Sequence, residues 1–160
     1  MTEDATAVAG AEAHADREER KEPEVFVPQL PVLDEETEKA TRLYELMLIF
    51  DPAEASRTWD KLVEWVEGLI KDRLKQHVLR VDKWADSRKL AYEINGLKRA
   101  TYMLVWFKAE PSTTAELEQQ LRLEERVLRH MLLTHDSEPP GVGQSAEDFE
   151  AAAPPPPERY

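Results

Sequence analysis

Two short stretches of this chain are apolar at every position rather than at alternate ones, and they restrict its possible folds more than any other feature. Tyr102-Met103-Leu104-Val105-Trp106-Phe107 and Leu46-Met47-Leu48-Ile49-Phe50 are the length of strands, and apolar side chains fall on both of their faces. That pattern belongs to interior strands rather than half-wet edges. Two interior strands require outer strands to pair with and other elements to cover them.

Proline placement marks where those elements lie. None occurs between Pro52 and Pro111, and Phe50-Asp51-Pro52 and Glu110-Pro111-Ser112 both read as a strand ending and a helix beginning. The first strand therefore spans Arg42 to Phe50. After it, Trp59, Leu62, Val63, Val66, Leu69, Ile70 and Leu74 form one helical stripe, with Asp60, Lys61, Glu64, Glu67, Lys71 and Asp72 around the rest of the helix. Next come His77–Lys83 and Arg88–Ile94, as two strands or one bent strand; Leu90, Tyr92 and Ile94 alternate with polar or small neighbours. Asn95-Gly96 is a turn dipeptide, because both residues tolerate positive φ. The returning strand is Thr101–Lys108. Thr113 and Glu116 have capping-box spacing and open a second helix with Leu117, Leu121 and Leu123 as its inward candidates, and a last strand follows over Val127–Thr134. The order βαββαβ predicts a ferredoxin-like α+β sandwich: a four-stranded antiparallel sheet, first and third strands central, two helices on one face.

Charge divides the chain in the same places. Residues 1–41 hold 12 acidic and 4 basic side chains and residues 136–160 hold 6 and 1, whereas residues 42–135 hold 15 and 16. The overall net charge of −12 thus describes the ends, not the domain. The composition of 1–41 predicts an acidic, disordered extension, from which Val25-Phe26-Val27 and Leu30-Pro31-Val32-Leu33 stand out. Residues 136–160 read as an acidic, disordered tail running into Pro154–Pro157. No stretch approaches the roughly 20 apolar residues of a membrane span. The acidic first thirty residues resemble neither a secretory signal nor a transit peptide, so a soluble cytoplasmic protein is expected.

Two helices cover only one face of such a sheet. Either Tyr102, Leu104 and Trp106 or Met103, Val105 and Phe107 must therefore lie on the open face. An apolar patch there marks a binding surface, unless the sheet curls or a tail folds over it.

Catalytic patterns are missing. There is no cysteine, which removes disulfides, thiolate catalysis and thiolate metal sites. His130 and His135 are five apart, a spacing that suits no zinc pair, and His14 and His77 are isolated. Asn95-Gly96 and Gly141-Val142-Gly143 make no phosphate loop, and Ser56, Ser87 and Ser112 lack a nucleophile-elbow setting. No enzyme, cofactor or metal is expected.

Three stretches carry a family likeness: Arg42-Leu43-Tyr44-Glu45 entering the first strand, Arg88-Lys89-Leu90-Ala91-Tyr92-Glu93-Ile94-Asn95, and Leu121-Arg122-Leu123 through Val127-Leu128-Arg129. From Arg42 to His135 the chain resembles ribosomal protein six of the bacterial small subunit. It departs in having Asp86 where the family usually has glycine, Arg126 at an often small or polar position, and longer acidic ends. The resemblance implies a structural ribosomal protein that binds the central domain of small-subunit RNA together with ribosomal protein eighteen, with neither DNA nor membrane as partner. On that reading the RNA-contacting candidates are Arg42, Tyr44, Arg88, Lys89, Arg126 and Arg129. Arg80, Lys83, Lys98 and Arg99 would form a second, weaker patch around the hairpin. Arg42 and Arg129 are expected near each other if their strands are neighbours.

Two other readings share the fold. An RNA-recognition motif would bind single strands through aromatics of the third strand, but Lys98-Arg99-Ala100-Thr101-Tyr102-Met103 lacks its glycines. A ferredoxin-like regulatory or ligand-binding module would need a ligand loop that is not visible.

Overall fold

In the computed structural model, which describes residues 29–152, the two fully apolar runs lie side by side in the middle of one sheet. Along the chain the elements are α1 (Glu35–Ala40), β1 (Arg42–Phe50), α2 (Pro52–Gly68), β2 (His77–Ile94), β3 (Leu97–Ala109), α3 (Thr114–Leu123), β4 (Val127–His135) and α4 (Ala146–Ala152). The sheet order is β2-β3-β1-β4, antiparallel throughout, with Leu46 opposite Val105 on one side and Leu132 on the other. This is the ferredoxin-like α+β sandwich that the element order predicts.

Local chemistry accounts for the helix that follows β1. The Asp51 carboxylate accepts from the Ala53 amide at 2.9 Å and Pro52 takes the first helical position, where its missing N–H costs nothing. α2 continues as a π-helical turn over Leu69–Arg73, the Leu74 amide bonding to the Leu69 carbonyl at 3.1 Å. That wider turn lets Leu69, Ile70 and Leu74 all reach the core, where they pack with Leu62 and Val66.

The parity of the central strands is settled by what each set touches. Tyr44, Leu46, Leu48 and Phe50 of β1 and Met103, Val105 and Phe107 of β3 form the core beneath α2 and α3, with Leu117 and Leu121. The opposite set, Leu43, Leu104 and Trp106, forms a second cluster on the other face with Leu30 and Val142.

Leu123, expected inward with Leu117 and Leu121, is instead exposed. β2 is the one bent strand of the two alternatives, 18 residues long, and its pairing with β3 slips between Lys83 and Arg88. The bend sits at Asp86 and Ser87, the latter at φ 47°. Thr113 makes no capping box: Pro111–Thr113 form a 3-10 turn, Thr113 is itself helical, and its hydroxyl donates to the Glu110 carbonyl. Within the described part of the acidic ends, residues 35–40 and 146–152 are helical and Val32 is exposed. Leu30 and Val142 are buried on the sheet, and α1 and α4 flank it. Val25-Phe26-Val27 and Pro154–Pro157 lie outside the described residues.

Candidate nucleic-acid and partner interface

The candidate site has two parts, an apolar sheet face and the cations expected to meet RNA. On the open face, successive rows across β3, β1 and β4 are Trp106-Glu45-Leu133, Leu104-Met47-Met131 and Tyr102-Ile49-Arg129. Met131 and Leu133 are 48% and 41% exposed, so the β4 half of this face presents aliphatic side chains to solvent. The β3 half is covered. Trp106, only 3% exposed, lies beneath the segment that follows β4, and its indole Nε1 has no acceptor among the described residues. A buried donor left unpaired costs about 1–3 kcal/mol. Tyr102 packs edge-on to Trp84 at 5.4 Å, and Glu45 hydrogen-bonds to His135 at 2.7 Å.

The candidate cations do not gather as one patch. Arg42 is exposed at the start of β1, and β4 runs antiparallel beside it with Arg129 opposite Ile49. Neighbouring strands therefore place these two arginines at opposite ends, about 23 Å apart along the strand, contrary to the expected proximity. Tyr44 points into the helix-side core, 4% exposed and stacked on Phe107 at 5.4 Å, out of reach of a base. Arg126 grips Glu124 with both Nε (2.8 Å) and Nη2 (3.0 Å) and lies over Trp65. That fork holds the turn between α3 and β4. The pairing also depresses the Glu124 carboxyl, chiefly through the hydrogen bond from Arg126.

The remaining candidates share the β2–β3 hairpin end. Lys89 is exposed and pairs in register with Arg99, whose Nε donates to the Ser87 carbonyl at 2.7 Å. Arg129 donates to the Tyr92 hydroxyl at 3.0 Å and lies over that ring. A cation–π contact at so exposed a ring is worth about 0.5–1 kcal/mol. Arg88 is held more firmly, donating to Glu150 of α4 at 2.5 Å with its guanidinium over Trp84. In the weaker patch, Arg80 is paired with Asp82, Lys98 reaches Glu93 at 3.9 Å, and Lys83 sits over Trp59.

Sequence reasoning missed the residues that cover the face: Val142, Ala146 and Glu150. Their signal was there in Ser145 and Asp148, whose capping-box spacing is used. The Ser145 amide and hydroxyl donate to Asp148 at 2.7 and 2.8 Å, and the Asp148 amide returns to Ser145 Oγ at 3.4 Å. Among the described residues no group of three or more His, Asp or Glu is placed to hold a metal ion, and no helix is long and apolar enough to cross a membrane.

A ferredoxin-like sheet with an exposed aliphatic strip on its open face defines the class, an α+β sandwich without a catalytic arrangement among the described residues. Comparison with known proteins narrows it. A family model described as ribosomal protein S6 matches residues 43–134, and the chain belongs to that family. The small ribosomal subunit protein bS6 of Desulforamulus reducens is 36% identical over 92 residues, 58% of this chain and 95% of the relative. That of Nocardia farcinica is 39% identical over 95 residues, 59% and 98% of the two chains. The crystal structure of 30S ribosomal protein S6 from Thermotoga maritima superimposes with a TM-score of 0.54 at 28% identity, covering 59% of this chain and 88% of that one. The chain is therefore a structural protein of the small ribosomal subunit, working in the cytoplasm as part of the ribosome, and not an enzyme.

Proposed function

We propose that the chain binds the central domain of small-subunit ribosomal RNA jointly with ribosomal protein eighteen. The observation that carries this reading is the open sheet face, where Met131 and Leu133 extend the buried Leu104–Trp106 cluster to the surface. A protein partner laid on that strip buries aliphatic surface that an isolated domain leaves in water. RNA is held beside it by Lys89 and Arg129 at the hairpin end, by Arg88 when it exchanges Glu150 for phosphate, and by Arg42 at the far end of β1. Guanidinium forks suit phosphate oxygens, and in folded RNA such contacts act with shape and 2′-hydroxyl recognition. Near-neutral charge in residues 42–135 supports a small number of placed contacts rather than a broad electrostatic field.

The test is filter binding of a central-domain RNA fragment, with ribosomal protein eighteen present, over a salt series. Arg129→Ala and Arg42→Ala are each expected to weaken binding and lower the log–log salt slope by about one. Slopes unchanged in both variants would remove these residues from the RNA contact.

A further inference from the structure

The segment after β4 turns back across the open sheet face instead of leaving it. Pro139 and Pro140 lead to Gly141 at φ 91°, and Val142, 1% exposed, enters the cluster of Leu43, Leu104 and Trp106. Ala146 is equally buried at the start of α4. Polar contacts hold both ends: the Leu30 amide donates to Glu138 at 3.1 Å, and Arg88 donates to Glu150 at 2.5 Å. The segment itself, though not the sheet residues it touches, lies outside residues 43–134, which match the family.

The fit is incomplete in three respects. A cavity of about 320 Å³ remains between segment and sheet, lined by Met47, Trp84, Leu104, Trp106, Pro140 and Phe149. Phe149 leaves nearly half of its surface in solvent. The segment also gives Trp106 Nε1 no acceptor, although it covers that ring. A cover whose buried apolar anchors are one valine and one alanine, whose end contacts are polar and partly exposed, and which offers Trp106 Nε1 no acceptor among the described residues is one that a better-matched occupant displaces.

We propose that residues 137–152 are a cis-acting strap that occupies the partner face of the free chain and leaves it when the protein partner docks. This rests on the reading that a protein partner uses that face. The displacing segment has a stated chemistry: an aliphatic side chain at the Val142 position and a backbone or side-chain acceptor for Trp106 Nε1. The strap weakens partner affinity by the fraction of molecules in which it is seated, because only the open form is competent to bind.

The experiment is titration of the full chain with purified small-subunit ribosomal protein eighteen, comparing wild type with Val142→Asp and Gly141→Val. The second variant acts differently from the first. A side chain at Gly141 is strained at that φ, and its Cβ would lie 2.8 Å from Gln144 Oε1 and 3.0 Å from Phe149 Cζ. Neither position belongs to the sheet or to the helix-side core. Hydrogen exchange at the amides of α4 reports whether the strap has opened. With faster exchange there, both variants are expected to bind the partner about tenfold more tightly than wild type. Unchanged affinity with an opened strap would overturn the strap proposal and leave the partner reading standing. Weaker binding would make residues 137–152 part of the interface and overturn it likewise. A gain confined to RNA affinity would mean that the strap guards the cations, not the partner face. No binding by any form would refute the partner reading and the strap with it.

Discussion

Thr101 is the one polar side chain fully buried in the described structure, and its hydroxyl organises the bend in β2. It donates to Asp86 Oδ1 at 3.1 Å and accepts from the Ser87 amide at 3.2 Å, closing a break in the ladder that would otherwise leave an N–H unpaired. Thr101→Val keeps the shape and removes both bonds, so a loss of about 1–3 kcal/mol is expected in urea denaturation. An unchanged midpoint would mean that water serves the bend as well as threonine does. The sequence signalled the irregularity through Asp86, where the family usually has glycine. It could not reveal Thr101 as the clamp, because residues 15 apart meet only through the register of two strands. The place of Tyr44 in the helix-side core was hidden for a related reason. A tyrosine in an interior strand faces either layer, and only the parity of β1 places its ring on Phe107.

At the scale of elements, period and punctuation located nearly everything: the interior strands, the α2 stripe and the Asn95-Gly96 turn all lie where the pattern puts them. Ends were harder to read, because capping depends on backbone angles as well as spacing. Thr113 has the spacing of a cap but helical φ and ψ, while Ser145 and Asp148 form the box in a stretch whose composition argued for disorder. The turn joining α3 to β4 is braced by Arg126 on Glu124, and its contribution depends on pH with a definite sign. The folded Glu124 pKa is depressed, so the brace stabilises fully above the ordinary carboxylate value and is lost as pH falls through the folded one. Glu124→Gln should therefore melt lower than wild type near neutrality and converge with it on acidification from about pH 7 to about pH 3. Coincident melting curves across that range would show that the pair contributes nothing to folding, and a constant offset would show that its contribution does not come from the carboxylate charge.

Across the whole molecule, the acidic ends were visible as charge but not as structure. Among the described residues their buried apolar anchors are Leu30, Val142 and Ala146, too few to register in the composition of long polar stretches, yet they close half of the sheet face that the apolar runs required to be covered. The sequence left partner and folded-back tail as alternative covers. In the free chain the tail lies over Trp106, and a strip at Met131 and Leu133 beside it stays exposed. The cations were legible as residue types but not as a site. Arg42 and Arg129 are separated by the antiparallel run of β1 and β4, and Arg88 is engaged by an acid 62 residues away. What unites these features is assembly into the small subunit. Its most direct measurement is sedimentation of the tagged chain from a bacterial lysate, with subunits separated at low magnesium. Co-migration with the small subunit through a moderate salt wash is the predicted result; recovery only at the top of the gradient, free of ribosomes, would contradict it.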